Sequence, residues 1–168
     1  MKRLLIVWHS RTGGSEQMAR AAADAARRFG AEDEGELDVR LQRAEDTTGD
    51  DVLAADGYLF AAPENLATMA GQMKEFFDRI YYVALDRING RPYAILVCAG
   101  SDGSGAVRQI QRIATGLRLK EVVPALIVNT AAQTPEAILA PKTIPDRELA
   151  HCREIGAALA AGLAAGVF

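Results

Sequence analysis

The residues best suited to chemistry are Ser10-Arg11-Thr12-Gly13-Gly14-Ser15. They stand directly after the apolar run Leu4–Trp8 and directly before the helix-like stretch that begins Glu16-Gln17-Met18-Ala19-Arg20. A buried strand that turns through hydroxyls and glycines into a helix is built to hold a phosphate. Glycines let backbone N–H groups face inward, hydroxyls add donors, and the helix N-terminus contributes partial positive charge. Other phosphate and nucleophile motifs fail on spacing. A Walker loop needs a lysine after its last glycine, and none follows Gly13 or Gly14. Gly100, Gly103 and Gly105 read G-x-x-G-x-G after a late strand, where a dinucleotide fingerprint reads G-x-G-x-x-G after the first. No G-x-S-x-G elbow is present. The two histidines, His9 and His151, and the unclustered Cys98 and Cys152 argue against a metal site.

The elements that must position this loop alternate regularly. Apolar runs at Leu4–Trp8, Leu37–Leu41, Gly57–Ala62, Tyr93–Ala99 and Val122–Val128 read as strands. Helical patterns lie at Ser15–Phe29, Asp50–Ala55, Met69–Val83, Gly103–Leu117 and Asp146–Leu163. Gly30 is placed to end the first, Ala31–Glu36 reads as an acidic surface turn, and 129–145 reads as an extended loop with three prolines. Met69, Met73, Phe76, Phe77 and Ile80 form one apolar face, expected to pack on a sheet. Alternation of strand and helix predicts an α/β protein with a doubly wound, five-stranded parallel sheet between two helix layers. The first strand reads as buried on both faces. The second, with Asp38 and Arg40 opposite Leu37, Val39 and Leu41, reads as an edge. That favours strand order 2-1-3-4-5, with ligands at the carboxyl ends of the strands near the switch between the first and third.

Three loops then fall on one edge of the sheet. They are Ser10–Ser15, Pro63-Glu64-Asn65-Leu66-Ala67-Thr68, and Ala99-Gly100-Ser101-Asp102-Gly103 with Gly105 beyond Ser104. Together they describe a site for a phosphate-bearing ligand with a flat polar ring. Trp8 reads as core or as the floor of that pocket. Cys98 reads as a small core residue, and His151 and Cys152 as two half-exposed neighbours on a helix.

A chain of 168 residues, 49% hydrophobic, is long enough for one compact domain over 1–168. A net charge of −3 with no basic patch argues against nucleic acid as a partner. The N-terminal apolar run is five residues and the alanine-rich C-terminal stretch is short, so no membrane span or signal core is expected and the protein reads as cytoplasmic.

Two motifs carry a resemblance. The loop matches the pattern [ST]-x-T-G-x-[ST] through Ser10, Thr12, Gly13 and Ser15. The stretch Pro63-Glu64-Asn65 with Met69-Ala70-Gly71-Gln72-Met73-Lys74-Glu75-Phe76-Phe77-Asp78 is similar to the P-x-[YN]…S-G-x-[LM]-K-x-F-[LFI]-D segment of flavodoxin-like reductases, with Ala70 in place of the usual serine. Over about residues 1–128 the chain resembles the flavodoxin-like FMN-binding family. The resemblance implies FMN, with its phosphate held at Ser10–Ser15, Pro63–Thr68 beside the ring and its N5 edge, and Ala99–Gly105 at its pyrimidine end. Arg11 reads equally as a charge for the phosphate or as a solvated loop residue. Glu64 and Asp102 are the candidates for tuning the ring, beside a plain loop reading.

The second and third loops hold no Trp or Tyr, unlike the aromatic sandwich of electron-carrier flavodoxins. An open ring face suits a reductase, on which NAD(P)H and then a quinone or similar acceptor stack. Chemistry would reside on the flavin, with no catalytic side chain expected. The alternatives are an electron-transfer flavodoxin without NAD(P)H activity, whose partner is a redox protein, and a non-catalytic domain of the same fold. The loop 129–145 and the third helix are candidate surfaces for a homo-oligomer, and nothing in the sequence requires one.

Overall fold

The computed structural model describes residues 1–32 and 37–168. In chain order the elements are β1 (Lys2–Trp8), α1 (Gly14–Glu32), β2 (Leu37–Arg43), α2 (Gly49–Ala54), β3 (Gly57–Asn65), β4 (Thr68–Met69), α3 (Gly71–Ala84), β5 (Pro92–Ala99), α4 (Ser104–Gly116), β6 (Lys120–Glu121), β7 (Leu126–Asn129), α5 (Pro135–Leu139) and α6 (Asp146–Ala165). The main sheet is parallel and runs β2-β1-β3-β5, with β6 and β7 both pairing with the far side of β5. These two short strands stand in the place of the single fifth strand expected from sequence. The winding expected from the sequence is therefore observed, with its last strand split around Val123 and Pro124.

Side-chain alternation divides the core. Leu5 and Val7 of β1 face one way, with Tyr58, Phe60, Ile95 and Val97, and are covered by Met73, Phe76, Phe77 and Ile80 of α3 and Ile110 of α4. Leu4, Ile6 and Trp8 face the other way, with Leu59 and Leu96, under Met18 and Ala22 of α1 and Leu159 of α6. Every residue of β5 is buried, as a strand covered on both faces requires. Along β2 Val39 and Leu41 are only half-buried, which fits its place at the edge. Small residues bring α1 and α6 close: a Cβ on Gly156 would lie 2.1 Å from the Ala22 carbonyl oxygen.

Several expectations need correction. The first helix does not stop at Gly30, which is not among the positive-φ glycines, and runs on to Glu32. Of the expected turn Ala31–Glu36, the first two residues are helical and 33–36 lie outside the described residues. Cys152 is fully buried in the α1–α6 layer while His151 is exposed, because neighbours on a helix point about 100° apart. Met69 belongs to β4 and not to α3, although it packs in the same cluster as the other four residues of its face. The third strand extends past Ala62 to Asn65, and the 129–145 loop contains α5.

The N-terminal end of the sheet is laced by ion pairs. Asp38 accepts from Arg3 Nε at 2.7 Å and Arg40 Nε at 2.9 Å. Burial alone would raise the Asp38 pKa, but the two guanidiniums together outweigh it and hold the carboxyl below its ordinary value. Asp51 and Asp56 shift in the same direction: burial opposes them, while the Thr48 hydroxyl and N–H, and the Arg3 N–H with Lys2, prevail. Such groups stabilise the fold fully above their unfolded pKa, about 3.9 for Asp, and lose that contribution as pH falls through the folded value. The urea midpoint is therefore expected to drop as pH is lowered below about 4. Asp38→Asn should lower the midpoint at pH 7 and shallow the acid limb. An acid limb unchanged in the variant would contradict this assignment.

Candidate functional site

The phosphate-type loop is assembled from both ends. His9, just beyond β1, donates its N–H to the Ala61 carbonyl at 3.0 Å and sets its Nδ1 2.7 Å from Glu45 Oε1. The chain then turns. Ser10 Oγ accepts from the Gly13 N–H at 3.0 Å, and Gly13 adopts φ +92°, in the region that favours glycine. Within α1 the Gln17 N–H bonds back to the Gly13 carbonyl at 3.1 Å. The N–H groups of Gly14, Ser15 and Glu16 precede that first bond and have no intrahelical acceptor. Ser15 is 2% exposed, and its buried hydroxyl has no hydrogen-bond partner. A buried hydroxyl left unpaired costs about 1–3 kcal/mol, and here it lies beside open N–H groups at the positive end of a 19-residue helix. That donor set fits the oxygens of a phosphate group.

Gly14 is required by what lies beneath it. A Cβ there would stand 2.6 Å from Cys98 Sγ and 3.4 Å from Ile144 Cδ1. The loop rests directly on β5 and on the segment that enters α6.

The second loop is a hairpin. β3 continues through Pro63 to Asn65, turns at Leu66–Ala67, and returns as β4, with Glu64 opposite Met69 and Asn65 opposite Thr68. Leu66 and Ala67 have φ of +53° and +62°. This is the handedness that two-residue hairpins prefer, but it is normally filled by Asn-Gly. Side chains there cost about 1–2 kcal/mol each. The hairpin is held to α4 by four contacts. Glu64 Oε1 accepts from the Gly103 N–H at 2.9 Å and Oε2 from the Ala106 N–H at 3.0 Å. Gln109 Oε1 accepts from the Met69 N–H at 2.9 Å. The Ala67 carbonyl oxygen sits 2.0 Å from where a Gly105 Cβ would be. Glu64 thus caps α4 and complements its dipole. Thr68 closes its own turn on the Asn65 and Met69 carbonyls. Asp102 is exposed and accepts from the Ser104 hydroxyl and N–H, which hold its carboxyl below the ordinary value.

The three loops meet. Thr12, Pro63, Glu64, Asn65, Ala99 and Gly100 border a hollow of about 60 Å³. Arg11, Leu66, Ala67 and Ser101 join Glu64, Asn65 and Gly100 around an adjoining one of about 290 Å³. Ser10, Gly13, Gly14, Ser15, Thr68, Asp102, Gly103 and Gly105 border neither and form the turns that shape them. The fourth wall was missed in the sequence. Thr130, Ala132, Ile138 and Lys142 border the first hollow, so the 129–145 segment folds against the site. Its start is fixed to the third loop. Thr130 donates its N–H to the Ala99 carbonyl at 2.8 Å, Asn129 Nδ2 reaches the Ser101 carbonyl at 2.6 Å, and Gly100 admits the Ala132 carbonyl, 2.8 Å from a would-be Cβ. Thr134-Pro135, a capping threonine before a proline, was the available sequence signal for α5. Cys98, expected in the core, also borders the first hollow, and burial pushes its thiol up. Trp8, in the same core layer as Cys98, borders neither hollow; it is 6% exposed, with the guanidiniums of Arg20 and Arg43 5.9 and 5.3 Å from its ring centroid. Among the described residues no aromatic side chain borders either hollow.

A doubly wound parallel sheet with a hydroxyl-glycine loop after its first strand, and a hollow walled by the loops after the third and the next, defines a flavodoxin-like protein. A family model described as NADPH-dependent FMN reductase matches residues 1–133, and the chain belongs to that family. FMN, the cofactor expected from the sequence, agrees with this assignment. The chain is 33% identical over 105 residues to a flavodoxin of Aquifex aeolicus, covering 62% of this chain and 52% of that protein. It is 33% identical over 97 residues to an NAD(P)H dehydrogenase (quinone) of Acidithiobacillus ferrooxidans, covering 47% of each. The chain thus spans about half the length of the curated relatives it matches. A solved flavodoxin of Streptococcus pneumonia TIGR4 superposes with a TM-score of 0.74 at 20% identity, over 95% of this chain and 98% of that one. No helix among the described residues is long and apolar enough to cross a membrane, and they contain no group of His, Cys, Asp and Glu that could hold a metal.

Two outcomes follow from the packing beneath the loops. Glu64→Ala leaves the Gly103 and Ala106 N–H groups without their acceptor and should lower unfolding free energy by about 2 kcal/mol in urea titration. A loss below a few tenths would show that water replaces the carboxylate freely. Gly14→Ala should lower the thermal midpoint, and the loss should shrink in a Cys98→Ala background, where the clashing sulfur is gone. Equal losses in both backgrounds would place the strain elsewhere.

Proposed function

We propose that this chain, read as one domain over residues 1–168, is an FMN-dependent oxidoreductase that takes electrons from NADH or NADPH and delivers them to a quinone or similar small acceptor. The observation that carries the reading is the hollow between the hairpin and the third loop, lined without aromatic residues beside a loop rich in unpartnered donors. A ring seated there keeps one face accessible to a second flat molecule. The named activity of the Acidithiobacillus relative supports it.

In this reading Ser10–Ser15 hold the phosphate. The open N–H groups of Gly14, Ser15 and Glu16 and the Ser15 hydroxyl supply charge-assisted hydrogen bonds, each worth about 1.5–3 kcal/mol net. Arg11, exposed at the rim, adds positive charge. Pro63–Thr68 flank the ring, and Ala99–Gly103 with Gly105 meet its pyrimidine end. Bound FMN supplies the redox chemistry, accepting hydride and passing electrons on. Of the titratable side chains around the hollows, Glu64 caps α4, the Lys142 ammonium caps α5, and burial raises the Cys98 thiol above its ordinary value. This supports a site that places and shields the cofactor without a catalytic acid or base.

A second reading, an electron carrier serving a redox protein, is favoured by the match to the Aquifex flavodoxin over 62% of the chain. One preparation separates the readings. The purified protein, given FMN, should show flavin absorbance and oxidise NADH or NADPH only with a quinone present. Flavin binding without pyridine-nucleotide turnover would favour the carrier. A colourless protein with no FMN uptake would leave a non-catalytic domain. Gly13→Asp should abolish FMN binding. Gly13→Ala, which carries the same backbone strain without the charge, should weaken it less. Equal affinity in the two variants would move the phosphate away from this loop.

A further inference from the structure

The phosphate-type loop carries a brace that runs through Gln17 to residues beyond the 1–133 that the family model matches. Gln17, in the first turn of α1, is half-buried, and its amide is fully used. Nε2 donates to the Gly13 carbonyl at 2.8 Å and to the Lys142 carbonyl at 2.8 Å, while Oε1 accepts from the Ile144 N–H at 3.0 Å. The Lys142 N–H in turn donates to the Thr12 carbonyl at 2.8 Å. The Thr12 carbonyl is therefore held by the 142–144 segment directly, and the Gly13 carbonyl, which also accepts from the Gln17 backbone N–H at 3.1 Å, is tied to that segment through the Gln17 amide. That segment has its own support. Lys142 Nζ donates to the carbonyls of Ala137, Ile138 and Ala140 at 2.8, 3.0 and 2.6 Å.

A loop that binds a dianion must keep its N–H groups turned in and its carbonyl oxygens turned out. A carbonyl oxygen facing the anion repels it, and consecutive glycines make the peptide planes of this loop easy to rotate. Hydrogen bonds that hold the Thr12 and Gly13 oxygens on the outer side resist that rotation before any ligand arrives. The ordering cost is met on folding and is absent on binding.

We propose that Gln17 is a positioning residue for phosphate selectivity: by tying the Gly13 carbonyl to residues 142–144 it pre-sets the loop, and the preference for FMN over riboflavin depends on it. The inference rests on the reading of Ser10–Ser15 as the phosphate site. Gln17 borders neither hollow, and Lys142 keeps its own bonds to Thr12 and to the α5 carbonyls without it, so removal of Gln17 is expected to act chiefly on the phosphate end.

The test compares dissociation constants for FMN and for riboflavin, measured by quenching of flavin fluorescence, in wild type, Gln17→Met and Gln17→Glu. Methionine keeps the length and loses all three bonds. Glutamate keeps an acceptor for the Ile144 N–H but sets a carboxylate against two carbonyls. Loss of the pre-set loop is expected to weaken FMN about tenfold. The expected result is that loss for FMN in Gln17→Met, a larger loss in Gln17→Glu, and riboflavin affinity within about twofold of wild type in both. Riboflavin binding needs the folded site but no phosphate, so it also reports that each variant is folded. FMN and riboflavin weakening in parallel, in either variant, would make Gln17 a plain structural tie and overturn the proposal, as would no change for FMN. Wild type that binds FMN no better than riboflavin would instead remove the reading of the loop beneath it, and this is seen before any variant is compared.

Discussion

Burial of the central strands on both faces is the constraint from which the rest follows. β1, β3 and β5 offer apolar side chains above and below, so each needs helices on two sides. Parallel strands can be joined only by crossovers, and those crossovers here bring every strand-to-helix turn to the same edge. The turn after β1 can then be polar, glycine-rich and short of partners because the strands behind it are anchored over their whole length. The sheet supplies the rigidity, and the edge carries the unsatisfied donors.

At that edge the loops are not independent. Glu64 joins the hairpin to the start of α4, Gly105 lets the Ala67 carbonyl settle against that helix, and Gln109 closes the far side. These contacts oppose the left-handed strain of Leu66 and Ala67. A helix N-terminus is a natural anion site, and at α4 that place is already taken by a carboxylate of the protein itself. Among the described residues no carboxylate accepts from the first N–H groups of α1, whose Glu16 turns to Arg20 instead. The two helices that start at the same edge thus differ: the end of α4 is closed by the protein's own carboxylate, and the end of α1 keeps its donors open.

Much of this was legible in the amino-acid order. Strand order, the buried face of α3, the phosphate-type loop and the convergence of three loops follow from periodicity and from where hydroxyls and glycines fall. What escaped depended on partners far along the chain. Nothing near Glu64 announces that its carboxylate will meet Gly103 and Ala106. Nothing near Gln17 or Lys142 announces their pairing, and β4 is two residues long. Gly30 carried a stop signal that the helix overrode, since glycine without a left-handed φ weakens a helix and does not end it. Cys152 was misplaced because an alanine-rich helix shows little contrast between its faces. Here the burial of α6 is decided by α1 packing against it, through contacts such as Gly156 on Ala22.

The tie between Gln17 and Lys142 joins residues 125 positions apart. Contacts of such long range close late, because the chain between them must already be ordered. A growing polypeptide emerging from the ribosome would present residues 10–15 long before residues 142–144 exist to hold them. The loop would then have its local bonds, from Gly13 to Ser10 and from Gln17 to Gly13, without the brace. The bonds that fix the Thr12 carbonyl and the Gln17 amide can form only after residues 142–144 have been made.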